Sequence, residues 1–170
     1  MKTAALLALA LASVALAADP ESETRKSVGG FNGMLIVTPD KDWQSKWNTS
    51  PESIPYVSSG STVRKGGGLY VLTMFSNPQL DASGAASITM DIDVIRPDGK
   101  PSSHAENAVC VQGKVDPRSL HLCKQVVEYV DEPADPAGKW SVRVVLKDDV
   151  RKVSIPLSME FVVVDDRTKV

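Results

Sequence analysis

The sequence predicts an all-β domain, a sandwich of about seven or eight antiparallel strands with one short helix near its N-terminal end. Three observations carry this. From Phe31 onward the apolar residues recur with period two, turn motifs built on Pro, Asp and Gly separate the alternating runs, and a single stretch carries helix-start chemistry.

The alternation is clearest in residues 139–148, where Trp140, Val142, Val144 and Leu146 share one face and Ser141, Arg143 and Lys147 the other. The last strand repeats it, with Ile155, Leu157, Met159, Phe161 and Val163 set against Ser154, Pro156, Ser158 and Glu160. One buried and one wet face require this period, and a helix would scatter these residues all round. Pro156 cannot donate a ladder hydrogen bond, so it belongs at an edge or a bulge. Ile88, Met90, Ile92 and Val94 oppose Thr89, Asp91 and Asp93 in the same way. Residues 69–75 are apolar on both faces, as in a central strand, and residues 34–38 form the first strand. Pro97-Asp98-Gly99-Lys100, Asp116-Pro117 and Pro136-Ala137-Gly138 read as corners, because Pro presets the second turn position and Gly accepts positive φ.

The helix signal lies at Thr38-Pro39-Asp40. Thr38 is placed as N-cap and Pro39 at the first helical position, with acid in the first turn. Trp43 and Trp47, four apart, then share a helix face, and the segment breaks at Asn48-Thr49-Ser50-Pro51.

The amino terminus reads as an export signal. Lys2 supplies one positive charge, residues 4–14 are an almost unbroken Ala/Leu run with Ser13 its only polar side chain, and Ala15-Leu16-Ala17 fits signal-peptidase cleavage. Asp19, Glu21 and Glu23 close the run too early for a membrane span, which takes about 20 apolar residues. Residues 1–17 are therefore expected to be removed near Ala17, leaving a periplasmic or secreted chain with no membrane span. Residues 18–30 lack apolar periodicity and read as a flexible leader. The sandwich is expected over 31–165, with 166–170 as a C-terminal tail.

That remainder has the size of one domain. The formal net charge of −2 is spread without a basic stripe, so nucleic acid is not an expected partner.

Cys110 and Cys123 are expected to form a structural disulfide. A hairpin joining strands 107–115 and 118–130 at Asp116-Pro117 sets them opposite each other. In that register both cysteines lie on the face with Gln112, His121 and Gln125, while Val109, Val111 and Leu122 point to the core. An oxidising compartment favours the bridge. The competing redox or metal pair lacks C-x-x-C spacing, and two cysteines do not complete a zinc site.

Little else carries chemistry. His104 and His121 are the two histidines, and neither has a nucleophile or an orienting acid fixed near it by sequence. Arg64-Lys65-Gly66-Gly67-Gly68 is a basic loop without the following helix that a phosphate cradle caps. Asp91, Asp93 and Asp98 lack the spacing of a calcium loop. Met34, Met74, Met90 and Met159 sit at apolar strand positions, where core filling is the simpler role than copper binding. No catalytic, metal or cofactor-binding residue is assigned and no cofactor is expected. Trp43, Trp47 and Tyr56 are the candidate partner-binding residues. Their alternative role is to cap an open end of the sandwich.

Arg96-Pro97-Asp98-Gly99-Lys100, Asp135-Pro136-Ala137-Gly138-Lys139-Trp140-Ser141-Val142 and Met159-Glu160-Phe161-Val162-Val163 together give residues 68–164 a recognisable pattern. It resembles the immunoglobulin-like and macroglobulin-type β-sandwich modules of exported bacterial proteins. From Phe31 on, the domain is similar to small exported proteins of Gram-negative bacteria with no assigned function. The resemblance implies an immunoglobulin-like sandwich and supplies no catalytic residues. The resulting expectation is a non-catalytic binding or adaptor module of the periplasm, meeting another envelope protein or a surface ligand. The alternatives are a structural or chaperone-like accessory of an envelope assembly, or a hydrolase or metal carrier.

Overall fold

The computed structural model describes residues 22–49 and 57–165. The expected signal peptide, the C-terminal tail and Tyr56 lie outside the described residues. Among those described, ten strands and one helix follow in order: β1 (Arg25–Val28), β2 (Phe31–Thr38), α1 (Trp43–Trp47), β3 (Thr62–Arg64), β4 (Gly68–Ser76), β5 (Ala85–Ile95), β6 (Pro101–Lys114), β7 (Leu120–Leu122), β8 (Val127–Val130), β9 (Gly138–Asp148) and β10 (Val153–Val164).

They form two five-stranded sheets packed face to face, the all-β sandwich that the alternation predicts. The first sheet runs β1-β2-β4, with β7 and β8 both pairing with β4. The second runs β3-β10-β9-β5-β6 and is antiparallel except for the parallel β3–β10 pair. Residues 118–130, expected as one strand, divide into β7 and β8.

The expected leader is in part a strand. Residues 25–28 pair with 31–34, and Gly29 and Gly30 turn the hairpin at φ 56° and 83°. The Gly pair is thus a two-residue turn whose positive φ matches strand twist. Short edge strands such as β1 and β3 owe their existence to main-chain pairing, so their side chains need show no period.

The core forms between the facing sheets. Trp140, Val142, Val144 and Leu146 of β9 are buried, as are Ile155, Leu157, Met159, Phe161 and Val163 of β10. The first sheet contributes Phe31, Leu35, Leu69, Val71 and Phe75. At Gly33 the sheets approach so closely that a Cβ would lie 3.1 Å from both Leu146 and Leu157. Trp140 stacks on Phe161 with centroids 5.9 Å apart, and Tyr129 leans on both rings at 5.0 and 4.8 Å. The polar ends of these rings are satisfied. Trp140 Nε1 donates to Pro136 O at 3.1 Å, and the Tyr129 hydroxyl donates to Asp131 Oδ1 at 3.2 Å.

Cys110 and Cys123 are disulfide-bonded, but not across a hairpin. β6 pairs with β5 and β7 with β4, so the bond joins opposite sheets along one side of the sandwich. Both cysteines are fully buried, whereas Val109 is 43% exposed, the reverse of the hairpin register. A bulge explains the reversal. Val111 pairs with Ile88 and Val109 with Thr89, leaving Cys110 as the extra residue that turns inward. Lys124 N–H donates to Cys110 O at 3.3 Å and continues the seam. With 13 residues of separation, such a crosslink stabilises by about 3 kcal/mol on the chain-entropy account.

Two substitutions on β9 test this packing. Trp140→Ala, which opens a cavity beside Phe161 and Tyr129, is expected to cost about 3–5 kcal/mol in urea unfolding. Arg143→Ala, on the wet face of the same strand, should stay within about 0.5 kcal/mol. Equal losses would contradict the register.

Candidate functional site

The outer face of the first sheet breaks the usual rule for an antiparallel sheet, whose second face is normally polar. Met34 and Ile36 of β2, Tyr70, Leu72 and Met74 of β4, and Leu122 of β7 build a second apolar cluster on it. Such a face needs cover, and α1 supplies part of it. Trp43 is 7% exposed, its ring centroid 6.1 Å from that of Tyr70, while Trp47 and Val57 are only partly buried against the cluster.

The helix is shorter than its sequence signals imply. Thr38 is still paired with Tyr70 in β2 and fully buried, so it cannot serve as N-cap. Its hydroxyl instead accepts from Asp40 N at 3.0 Å, and Asp42 takes the N-cap position. Asp40 pins the arrangement, accepting from Lys46 Nζ at 2.6 Å and from Ser58 N at 2.9 Å. The Lys46 hydrogen bond, then that of Ser58, holds the Asp40 carboxyl below the usual carboxylate range. The two indoles therefore differ. Trp43 is a structural plug of the outer cluster, on a sheet face and not at an end of the sandwich, and Trp47 remains accessible.

Among the described residues, α1 leaves part of the apolar face open. Beside it lies a groove of about 440 Å³ lined by Arg25, Asn32, Met34, Met74, Ser76 and Leu120. Arg25 Nη2 lies 3.1 Å from Met34 Sδ, and Asn32 Nδ2 donates to Ser76 Oγ at 3.1 Å. Leu120 is 48% exposed at the groove's rim. Apolar walls with a few polar groups at the edge are the make-up of a ligand site. The sequence reading missed this groove, although Met34 and Met74 stand opposite each other in the β2–β4 register. Two methionines on the outward parity of adjacent strands were the available signal.

The other sequence candidates disperse. His104 lies on the outer face of the second sheet, with Nδ1 2.6 Å from Asp93 Oδ1 and Nε2 3.2 Å from Glu106 Oε1. The hydrogen bond to Asp93, then that to Glu106, raises the imidazole pKa. Asp91 instead accepts from Lys147 Nζ at 2.7 Å and Asn107 N at 2.9 Å, and Asp98 from Lys100 N at 3.1 Å. These three acids do not converge. Among the described residues no three His, Cys, Asp or Glu side chains are placed to hold a metal. His121 stacks on Phe75 at 5.1 Å and lies with Phe75 on the inward parity, so it is not on the polar face. The basic loop at 64–68 is tied down. Gly66 N donates to Asp131 Oδ2 at 2.7 Å and Lys65 Nζ to Asp131 Oδ1 at 3.1 Å. Burial pushes the Asp131 carboxyl up, but the bonds from Gly66, Lys65 and Tyr129 outweigh it and hold the pKa low.

No protein-family model and no curated protein matches the sequence. Solved structures with a similar course include a family 123 glycoside hydrolase from Clostridium perfringens, at 10% identity and TM-score 0.44. The similarity covers 78% of this chain and 27% of the hydrolase, so the chain spans about a quarter of that protein. A Niemann-Pick type C2 protein from the Japanese carpenter ant matches at 12% identity and TM-score 0.40, over 76% of this chain and 89% of its own. The CARDB domain of a Pyrococcus furiosus protein, solved with di-metal ions, matches at 8% and 0.42, over 86% and 100%. Likeness of this depth carries no argument about activity.

Two outcomes follow from the geometry. Trp43→Ala is expected to destabilise by about 3–5 kcal/mol, as for other buried aromatics, and Trp47→Ala by clearly less, both read from urea unfolding. Because the folded pKa of His104 is raised, its contribution is fully present below the unfolded imidazole value, about 6.5. That contribution is lost as pH rises through the higher folded value. An NMR titration of His104 should give a midpoint above that ordinary value, and Asp93→Asn should lower it.

Proposed function

We propose that this chain is an exported, non-catalytic binding or adaptor module of the bacterial periplasm, and that its contact face is the open part of the first sheet's outer surface. The observation that carries the reading is incomplete cover. α1 packs Trp43 against Tyr70 at one end of the apolar face, while Met34, Met74 and the half-exposed Leu120 line a groove at the other. Apolar surface of this kind, rimmed by polar groups, marks interaction sites on proteins. The Cys110–Cys123 bond and the Lys2-to-Ala17 pattern support export, since disulfides persist where the compartment is oxidising. The partner that fits is an apolar segment of another envelope protein or a surface ligand. Trp47 adds an accessible aromatic on the same face.

The test compares protein carrying Leu120→Asp with wild type and with Arg143→Ala, which alters the opposite sheet. Each is immobilised and exposed to periplasmic extract of the native host, and the retained species are identified by mass spectrometry. Leu120→Asp is expected to unfold within about 0.5 kcal/mol of wild type, as surface changes do, and to lose the retained species. Arg143→Ala should keep them. Equal retention by all three proteins would move the contact face elsewhere.

A further inference from the structure

The two long sides of the sandwich are closed differently. Along one, the disulfide and the Lys124–Cys110 hydrogen bond join the sheets. Along the other, β2 of the first sheet runs beside β10 of the second, and the chain's own main chain bridges them at two places. Residues 22–24 accept from both sheets, Leu35 N donating to Thr24 O and Ser158 N to Glu23 O, each at 2.8 Å. Residues 59–61 bridge the sheets again farther along: Gly60 N donates to Val37 O at 3.2 Å, and Ser61 O accepts from Val162 N at 2.7 Å.

Between the two bridges lies a crevice of about 680 Å³, lined by Leu35, Val37, Ser59, Ser158, Met159 and Glu160. In a strand, N–H and C=O groups of every second residue point to the same side. Leu35 and Val37 share a parity, as do Ser158, Glu160 and Val162. The bridging bonds show that this parity faces the seam. The Val37 N–H and the Glu160 N–H and C=O therefore point into the crevice, and among the described residues no bond to them crosses it. The floor is apolar, with Leu35 4% and Met159 6% exposed. Pro156 shares the Glu160 parity and has no N–H to offer, so β10 is blunted at 156 and left competent at 160.

We infer that this crevice is a docking slot for an extended segment of a partner protein, whose main chain completes the seam between the bridges at 22–24 and 59–61. From Ser158 to Val162 an extended strand covers about 13 Å, room for roughly three residues. The occupant bonds by its main chain to Val37 on one side and Glu160 on the other, the mode of strand addition. Its middle side chain is small or apolar where it meets Leu35 and Met159, and its neighbours point to solvent. The slot is separate from the outer-face groove, so neither reading depends on the other.

The probe is the blocked peptide acetyl-Thr-Val-Thr-Val-amide, titrated into isotope-labelled, disulfide-bonded protein and followed by amide NMR. The expected result is a saturable shift at the Val37 and Glu160 amides, with slower exchange of both protons. The same peptide N-methylated at its threonines should produce neither. Glu160→Pro removes the donor at a parity where β10 already holds Pro156, and should abolish the response while the melting transition stays cooperative. Glu160→Gln keeps the donor and should retain it. If Glu160→Pro fails to fold, the N-methylated peptide alone decides. No shift at the peptide's solubility limit overturns the slot, as does an equal response to the N-methylated peptide. Shifts confined to the Met34 and Leu120 amides, or protection of Val37 and Glu160 that appears only with dimerisation, overturn it equally.

Discussion

One buried carboxylate holds an end of this sandwich together. Asp148 closes β9 with its side chain fully buried, and its oxygens accept from the backbone of Gln79 at 2.8 Å, Val150 at 3.1 Å and Arg151 at 2.9 Å. Arg151 Nε stands 3.5 Å from the same carboxylate, an ion pair without hydrogen-bond geometry. The rest of that guanidinium donates to Gly29 O and to Asn77 O. Three turns from both sheets thus depend on one charge: the β9–β10 hairpin, the β4–β5 crossing and the β1–β2 hairpin. Burying a charge costs several kcal/mol unless its partners are in place. The same bonds that offset this cost therefore also fix the turns.

The Asp148 clamp also marks where the sequence was legible. The β9 alternation names Trp140, Val142, Val144 and Leu146 as inward, and all four are buried. Carried one step further, the same period puts Asp148 inside as well. Its neighbours Asp149, Arg151 and Lys152 make that stretch look like solvated charge, and composition hid what parity disclosed. The cysteines show the converse. Their pairing could be read, but their geometry could not, because a bulge at Cys110 reverses the side-chain face by one residue and leaves no mark in the sequence. Bulges and edge pairings are main-chain events, and a reading built on side-chain period cannot see them. β1 and β3 escaped it for that reason.

The candidate site was half legible. Trp43 and Trp47 at helical spacing do share a helix and do pack on one apolar cluster. Which indole is plug and which is surface depends on where β2 ends. Tertiary pairing at Thr38 set that boundary against a reasonable capping signal. The outer groove needed two facts at once, the β2–β4 register and the position of β7, and only the fold supplies both. Leu120 enters the site because the disulfide holds the following residues against β4, where Cys123 N donates to Thr73 O at 2.9 Å.

The cross-sheet fastenings divide labour between stability and recognition. The Asp148–Arg151 clamp and the disulfide fix one end and one side using a buried, hydrogen-bonded carboxylate and a covalent bond. Such sites are rigid because any motion exposes a charge or strains a covalent bond. The opposite side is held by two short main-chain bridges, each making one main-chain bond to either sheet, with Ser158 Oγ donating also to Glu23 Oε2. A fold closed tightly on one side and lightly on the other keeps its core while leaving strand edges within reach of another chain. The proline at 156 limits that reach, because an edge competent along all of β10 would invite pairing with any extended chain. Its placement confines the competent stretch to the residues between the bridges.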